Sequence, residues 1–228
     1  MNGHAVFDLD GTLIDSAPLC AEILNAMLID RGAAGRVSAA QTRRYVSLGG
    51  PALVETLLGE ARGDVQADLR EFRRRYAAMP TPPSSLYPGV RSGLEALAAR
   101  GVVLALHSNK PQGLCEKVIG ELELGHLFSA IVGAGAGLAA KPDPAGFDRA
   151  LELSGGVRGR SCYIGDSELD HEVARRAGVR LVMATYGYGE RGRDWPGALL
   201  ADDFAAVPGL VADLLTPAAP VLRAATRG

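Results

Sequence analysis

The unbroken apolar run Val102-Val103-Leu104-Ala105-Leu106 is the feature that most constrains this chain. A strand wetted on one face alternates apolar and polar side chains. A strand without a polar position has to be covered on both faces, as in a parallel sheet between layers of helices. The surrounding sequence repeats that texture. Residues 89–99 put Val90, Leu94 and Leu97 on one helical side and end in Arg100-Gly101, a basic residue then a glycine stop. A helix over 111–122 opens with Pro111 in its first turn. Ala130-Ile131-Val132 and Cys162-Tyr163-Ile164 are further short strands, followed by helices over 144–153 and 168–177; Arg180-Leu181-Val182-Met183 and a helix near 207–215 close the series. Such alternation predicts an α/β fold, a Rossmann-like parallel sheet with right-handed crossovers.

A different texture separates this block from the first strand, Ala5-Val6-Phe7. Leu19, Ile23, Leu24, Met27 and Leu28 recur at helical spacing up to Gly32, and a second helix follows Ser38 to about Val46. Gly49-Gly50-Pro51 breaks the chain, and helices are expected over 52–58 and 64–79. The run R-E-F-R-R-R-Y in the last of these reads as a solvated face. Pro80-Thr81-Pro82-Pro83-Ser84-Ser85 then forms a linker, because proline sustains neither a helix nor an interior strand. The expected organisation is a core domain of residues 1–16 and 83–216, a small all-helical cap domain of residues 17–82 inserted after the first strand, and a flexible tail over 217–228.

Composition removes several classes of partner. With 24 basic and 26 acidic residues the net charge is −2, so no overall field favours nucleic acid or an acidic membrane surface. Aromatic residues make up only 5%, too few for base-stacking platforms. No apolar run is long enough to span a bilayer, and Asp8 interrupts the only candidate leader. Cys20, Cys115 and Cys162 show no C-x-x-C spacing and are read as reduced thiols of a cytoplasmic protein. The four histidines form no zinc pattern with them.

The strand ends carry the chemistry. Asp8 and Asp10 are two residues apart on extended backbone, so they point the same way at the end of a strand, where open α/β sheets place their sites. Such a pair repels unless a cation or shared proton relieves it; the plain alternative is an Asp-Gly hairpin turn. Three other strand ends bear on the choice. His107-Ser108-Asn109-Lys110-Pro111 offers a hydroxyl and backbone amides to an anion, Lys141-Pro142-Asp143-Pro144 a fixed positive charge, and Gly165-Asp166-Ser167-Glu168-Leu169-Asp170 further carboxylates. These suit phosphoryl transfer. Magnesium held by Asp8 and Asp166 would neutralise a phosphate, Asp8 would attack it, and Asp10 would move the protons.

The set D-L-D-G-T at 8–12, S-N-K-P at 108–111, K-P-D-P at 141–144 and G-D-S-E-L-D at 165–170 resembles the phosphatase branch of the haloacid dehalogenase-like superfamily. The opening F-D-L-D-G-T-L-I-D-S-A-P and T-Y-G-Y-G at 185–189 look most like its phosphoglycolate phosphatase group. The resemblance implies Mg2+ and hydrolysis of a small phosphorylated metabolite, phosphoglycolate-like or a sugar phosphate, by a monomer or homodimer. It also implies that Asp8 is the nucleophile and that Asp10 is the acid and base, lending its backbone carbonyl to the metal. Ser108, Asn109 and Lys141 would hold the phosphoryl group and Asp166 the metal. Asp170 would bind the metal or stand one step behind it, and Ser167-x-x-Asp170 also fits a capping box. Arg43, Arg44 and the loop Ser47-Leu48-Gly49-Gly50 are candidates for substrate contact in the cap. Lys110 is expected to face solvent, His107 to pack, and Gly133, Gly135 and Gly137 to form a flexible connection to Lys141. The competing activities are 2-haloacid dehalogenation, which needs neither Asp10 nor a metal at Asp166, and phosphosugar mutation of the β-phosphoglucomutase kind. A non-enzymatic binding protein would have lost one of Asp8, Asp10, Lys141 or Asp166.

Overall fold

β1 (His4–Phe7) runs through the middle of a six-stranded sheet in the computed structural model, which describes residues 3–46, 48–135, 137–190 and 192–216. Four helices follow it: α1 (Ala17–Asp30), α2 (Ala39–Val46), α3 (Gly50–Leu58) and α4 (Val65–Ala78). Then come α5 (Val90–Ala99), β2 (Val103–Pro111), α6 (Gln112–Glu121), β3 (Phe128–Ala134), α7 (Ala145–Ser154), β4 (Ser161–Gly165), α8 (Glu168–Ala177), β5 (Arg180–Ala184), β6 (Ala198–Ala201) and α9 (Val207–Leu215). The strand order is β3-β2-β1-β4-β5-β6 and every neighbouring pair is parallel. The order reverses between β1 and β4, which opens a crevice at their carboxyl ends.

Register explains why the strands carry no polar face. Val6 pairs with Ala105 and Tyr163, and all three enter one buried cluster. Ala5 and Phe7, with Leu104, Leu106, Cys162 and Ile164, enter the cluster on the opposite face. Each fully buried side chain of this size stabilises the fold by about 1.5–3 kcal/mol.

β6 is an addition to the sequence reading. Its A-L-L-A segment is short and Leu200 is 54% exposed, so an edge position leaves it without the burial pattern that marks the inner strands. β2 is also longer than expected. It shifts register between His107 and Pro111, which places Ser108, Asn109 and Lys110 on irregular strand and starts α6 only at Gln112.

The inserted helices pack on one another through Leu19, Ile23, Leu24 and Met27 of α1, Leu53, Val54 and Leu58 of α3, and Leu69, Phe72 and Tyr76 of α4. This layer is continuous with the sheet cluster. α2 starts on a capping box, in which Ser38 Oγ accepts from Gln41 N–H at 3.2 Å and Gln41 Oε1 accepts from Ser38 N–H at 2.9 Å. Arg43 of α2 makes an ion pair with Asp15, fastening the insert to the loop after β1. The charged run of α4 is solvated only in part: Arg74 and Arg75 pair with Glu71, while Phe72 and Tyr76 are buried.

Gly133 lies inside β3 rather than in a flexible connection, and a Cβ there would meet Gln112 Cα at 2.6 Å. Ser47 and the tail 217–228 lie outside the described residues, as does Ala136 between Gly135 and Gly137. Among the described residues no helix is long and apolar enough to cross a membrane.

Candidate active site at the sheet reversal

Asp8 continues the β1 ladder, its N–H donating to Ile164 O at 2.8 Å, so its side chain emerges where β1 and β4 part. Asp166 and Asp170 arrive from the end of β4 and the first turn of α8. Carboxylate oxygens of Asp8, Asp166 and Asp170 lie within 4.8 Å of one another, and all three residues are buried. Lys141 Nζ stands 2.7 Å from Asp8 Oδ1 and 2.8 Å from Asp170 Oδ1. The first contact is an ion pair without hydrogen-bond geometry; the second is a hydrogen bond.

Backbone geometry makes room for this cluster. The chain turns at Gly11 with φ +88°, and a Cβ there would meet Asp166 Oδ2 at 2.2 Å. Asp166 Oδ1 accepts from Thr12 Oγ1 at 3.2 Å and Oδ2 from Tyr188 N–H at 2.7 Å. Asp170 is held from behind: its Oδ2 accepts from Asp166 N–H, Ser167 N–H and Ser167 Oγ at 3.1, 3.0 and 2.7 Å. The capping role of Asp170 and its place in the carboxylate cluster therefore coexist.

Three carboxylates against one ammonium leave two negative charges out of water. Burial, reinforced by Asp170 and Asp10 and opposed by Lys141, pushes Asp8 up to about 7. Burial and the neighbouring Asp170 and Asp8 push Asp166 well above the usual carboxylate range. Asp170 is instead held low, because Lys141 and Ser167 outweigh its burial. A divalent cation balances such a cluster, and an all-oxygen donor set suits a hard ion such as Mg2+. Asp166 and Asp170 each accept from protein donors on both oxygens, whereas Asp8 Oδ1 accepts no hydrogen bond.

The carboxylate of Asp10 is not one of the three clustered groups and pairs with Lys110 instead. Lys110 Nζ donates to both its oxygens, at 3.0 and 2.9 Å, and stands 4.4 Å from the centre of the Tyr76 ring. The expectation that Lys110 faces solvent is corrected: its side chain is only 9% exposed. The register shift in β2 turns it inward, and the negative charge of Asp10 keeps it there.

Ser108 is buried beside these groups. Asn109 fixes the Lys141 loop, its Oδ1 accepting from Lys141 N–H at 2.8 Å. His107 packs as expected: its Nδ1 is 3.1 Å from Tyr163 Oη, and burial beside Lys141 pushes it down to about 3. A cavity of about 90 Å3 joins the two carboxylate sites, with Asp8, Asp10, Ser108, Asn109, Lys110 and Lys141 on its floor. Gly49, Gly50, Leu53, Phe72, Arg73 and Tyr76 of the insert form its roof. Arg44 is exposed and does not line the cavity; Arg73 is the arginine that does. Arg73 and Tyr76 were not singled out from the sequence as site residues, although they stand three apart on one face of α4.

The profile of the haloacid dehalogenase-like hydrolase family matches residues 5–184. A phosphoglycolate phosphatase of Pseudomonas syringae is 35% identical over 93% of this chain and 82% of its own length. One of Rhodobacter capsulatus is 36% identical over 90% of this chain and 95% of its own. Among solved structures, a predicted phosphoglycolate phosphatase from Haemophilus somnus superposes with a TM-score of 0.79 at 28% identity, covering 92% of this chain and 97% of that one. CbbY from Rhodobacter sphaeroides, in complex with phosphate, has a TM-score of 0.75 at 21% identity over 91% and 96% of the two chains, a likeness of fold. The parallel sheet, the clustered carboxylates and these matches together place the chain in the haloacid dehalogenase-like hydrolase family.

Proposed function

We propose that this chain is a Mg2+-dependent phosphatase of a short carboxylated phosphomonoester such as phosphoglycolate, acting through an aspartyl-phosphate on Asp8. One observation carries the reading: the buried carboxyl groups of Asp8, Asp166 and Asp170 face one counter-charge among the described residues, Lys141, so their full ionisation calls for a further cation. Asp8 and Asp166 would hold the ion, and bound there it would neutralise phosphate charge and let an anion approach a carboxylate.

Asp8 attacks phosphorus while Lys141 and Ser108 hold the non-bridging oxygens. Asp10, beside the departing oxygen, gives it a proton and later takes one from the attacking water. Asp170 keeps Lys141 and the 166–167 turn in place. The relatives' names support phosphoglycolate as the substrate. The three buried free thiols, Cys20, Cys115 and Cys162, fit a reducing cytoplasm.

The test is phosphate release from 2-phosphoglycolate with Mg2+ and then with excess chelator. The expected result is turnover that chelation abolishes. Activity that survives chelation overturns the metal requirement, and no release from any of several dozen phosphomonoesters overturns the phosphatase reading.

A further inference from the structure

The two ends of the cavity carry different charge. At the Asp10 end Lys110 is matched one to one by a carboxylate. An ammonium has three N–H donors. Two are spent on Asp10, at 3.0 and 2.9 Å, and for the third the described residues offer only the Tyr76 ring, its centre 4.4 Å from Nζ. The Tyr76 hydroxyl stands at the same end. Tyr76 is 1% exposed, lines the cavity, and its Oη makes no hydrogen bond within the described residues. A buried hydroxyl left without a partner costs free energy, so a site that keeps one beside an ammonium whose third donor meets only a ring face is arranged for an acceptor. The walls around it, Leu53, Leu69, Phe72 and Leu114, provide none through their side chains.

We infer that Lys110 and Tyr76 form the subsite for a carboxylate carried by the leaving alcohol. The inference rests on the proposed function, in which Asp10 stands beside the departing oxygen. In a phosphate ester of a 2-hydroxy acid the carboxylate lies two bonds from that oxygen, about 3 Å further on. Lys110 stands next to Asp10, its Nζ 2.9 Å from Oδ2, and so within reach of such a carboxylate. A carboxylate there accepts from the third Lys110 N–H and from Tyr76 Oη, the charge-assisted pairing that a buried anion needs. An uncharged alkyl group satisfies neither donor. Lys110 comes from β2 and Tyr76 from α4, so the subsite is complete only with the insert seated on the sheet.

The test compares kcat/KM for 2-phosphoglycolate and ethyl phosphate in the full-length protein with Mg2+. Wild type should prefer 2-phosphoglycolate. Lys110→Met should cut the preference about 10- to 100-fold and Tyr76→Phe about 5-fold, the scale of a charged and a single hydrogen bond. Free glycolate should inhibit wild type competitively and Lys110→Met far more weakly. Because Lys110 also touches Asp10, turnover of both esters can fall; the ratio is what the subsite governs. A preference unmoved in both variants overturns the inference, as does equal loss on both esters. If Lys110→Met does not fold, Tyr76→Phe and glycolate inhibition of wild type decide in the same way. A wild type that treats the two esters alike overturns the subsite and leaves the phosphatase reading standing. Inactivity on every phosphomonoester overturns both.

Discussion

Lys141 and Lys110 are two buried ammonium groups at the same edge of one sheet, yet their surroundings set them different tasks. Lys141 stands 2.7 and 2.8 Å from Asp8 and Asp170, with Asp166 in the same cluster. Lys110 faces one carboxylate, Asp10, and one aromatic ring, Tyr76. Burial alone lowers a lysine; here the carboxylates hold both well above the ordinary value, so both are charged. The difference lies in what each leaves over. Around Lys141 the surplus is negative charge, which calls for a cation. Around Lys110 the charges cancel and the surplus is donor capacity, which suits an acceptor. A lysine's role in such a cavity is thus read from the balance around it rather than from the residue.

The hardest way to break the comparison is to remove charge from the acidic end. Asp8→Asn should lower kcat by about 10^4-fold or more, since a carboxamide is a poor nucleophile. In chelator its melting temperature should match or exceed that of wild type, because a repelling buried carboxylate has been removed. Steady-state kinetics and a thermal melt check the two halves, and appreciable residual turnover would remove Asp8 from its role.

A second, smaller effect follows from pH. Asp8 is raised from 3.8 to about 7 in the metal-free fold, and Asp166 is raised as well. Groups raised in this way bind protons more tightly folded than unfolded, so Asp8 should cost the metal-free protein stability as pH rises from about 4 to about 7, while His107, lowered from 6.5 to about 3, acts in the opposite direction; the share of Asp8 is the difference between wild type and Asp8→Asn. Asp170, being lowered, acts only below that window. Mg2+ should reverse the loss at pH 7–8 and add little at pH 5. Melting curves of wild type and Asp8→Asn across pH in chelator and in Mg2+ check this; a metal-free wild type that loses no stability relative to Asp8→Asn through the window contradicts it.

The smallest effect concerns the roof. Arg73→Ala should raise KM about 2- to 5-fold with kcat nearly unchanged, and the difference should shrink in high salt, as for exposed charges. A change in kcat instead would place Arg73 at the reacting atoms.

Much of this organisation was legible in the chain itself. Apolar runs without a polar face required a sheet covered on both sides, and both faces are buried. The polar tails of four strands met at one crevice because parallel strands all end on the same side. β6 escaped detection because an edge strand is half wet and carries no burial signature. Lys110 was misjudged because strand periodicity says nothing of a register shift, and a local kink decides which way a residue turns. Arg44 and Arg73 show the same limit: both are exposed helical arginines, and only the packing of α4 over the core tells which one borders the cavity.

The sequence by itself determined the family, the sheet and the identity of the charged groups at its edge, because motif order and apolar periodicity are local properties. The tertiary structure alone decided the pairing: which lysine meets which carboxylate, that Asp170 backs Lys141 as well as capping α8, and that a hydroxyl from the insert stands beside Lys110. Those include contacts between segments 100 residues apart, such as Lys110 with Asp10, and further, such as Lys141 with Asp8, and Coulomb energy depends on distance in space rather than on distance along the chain.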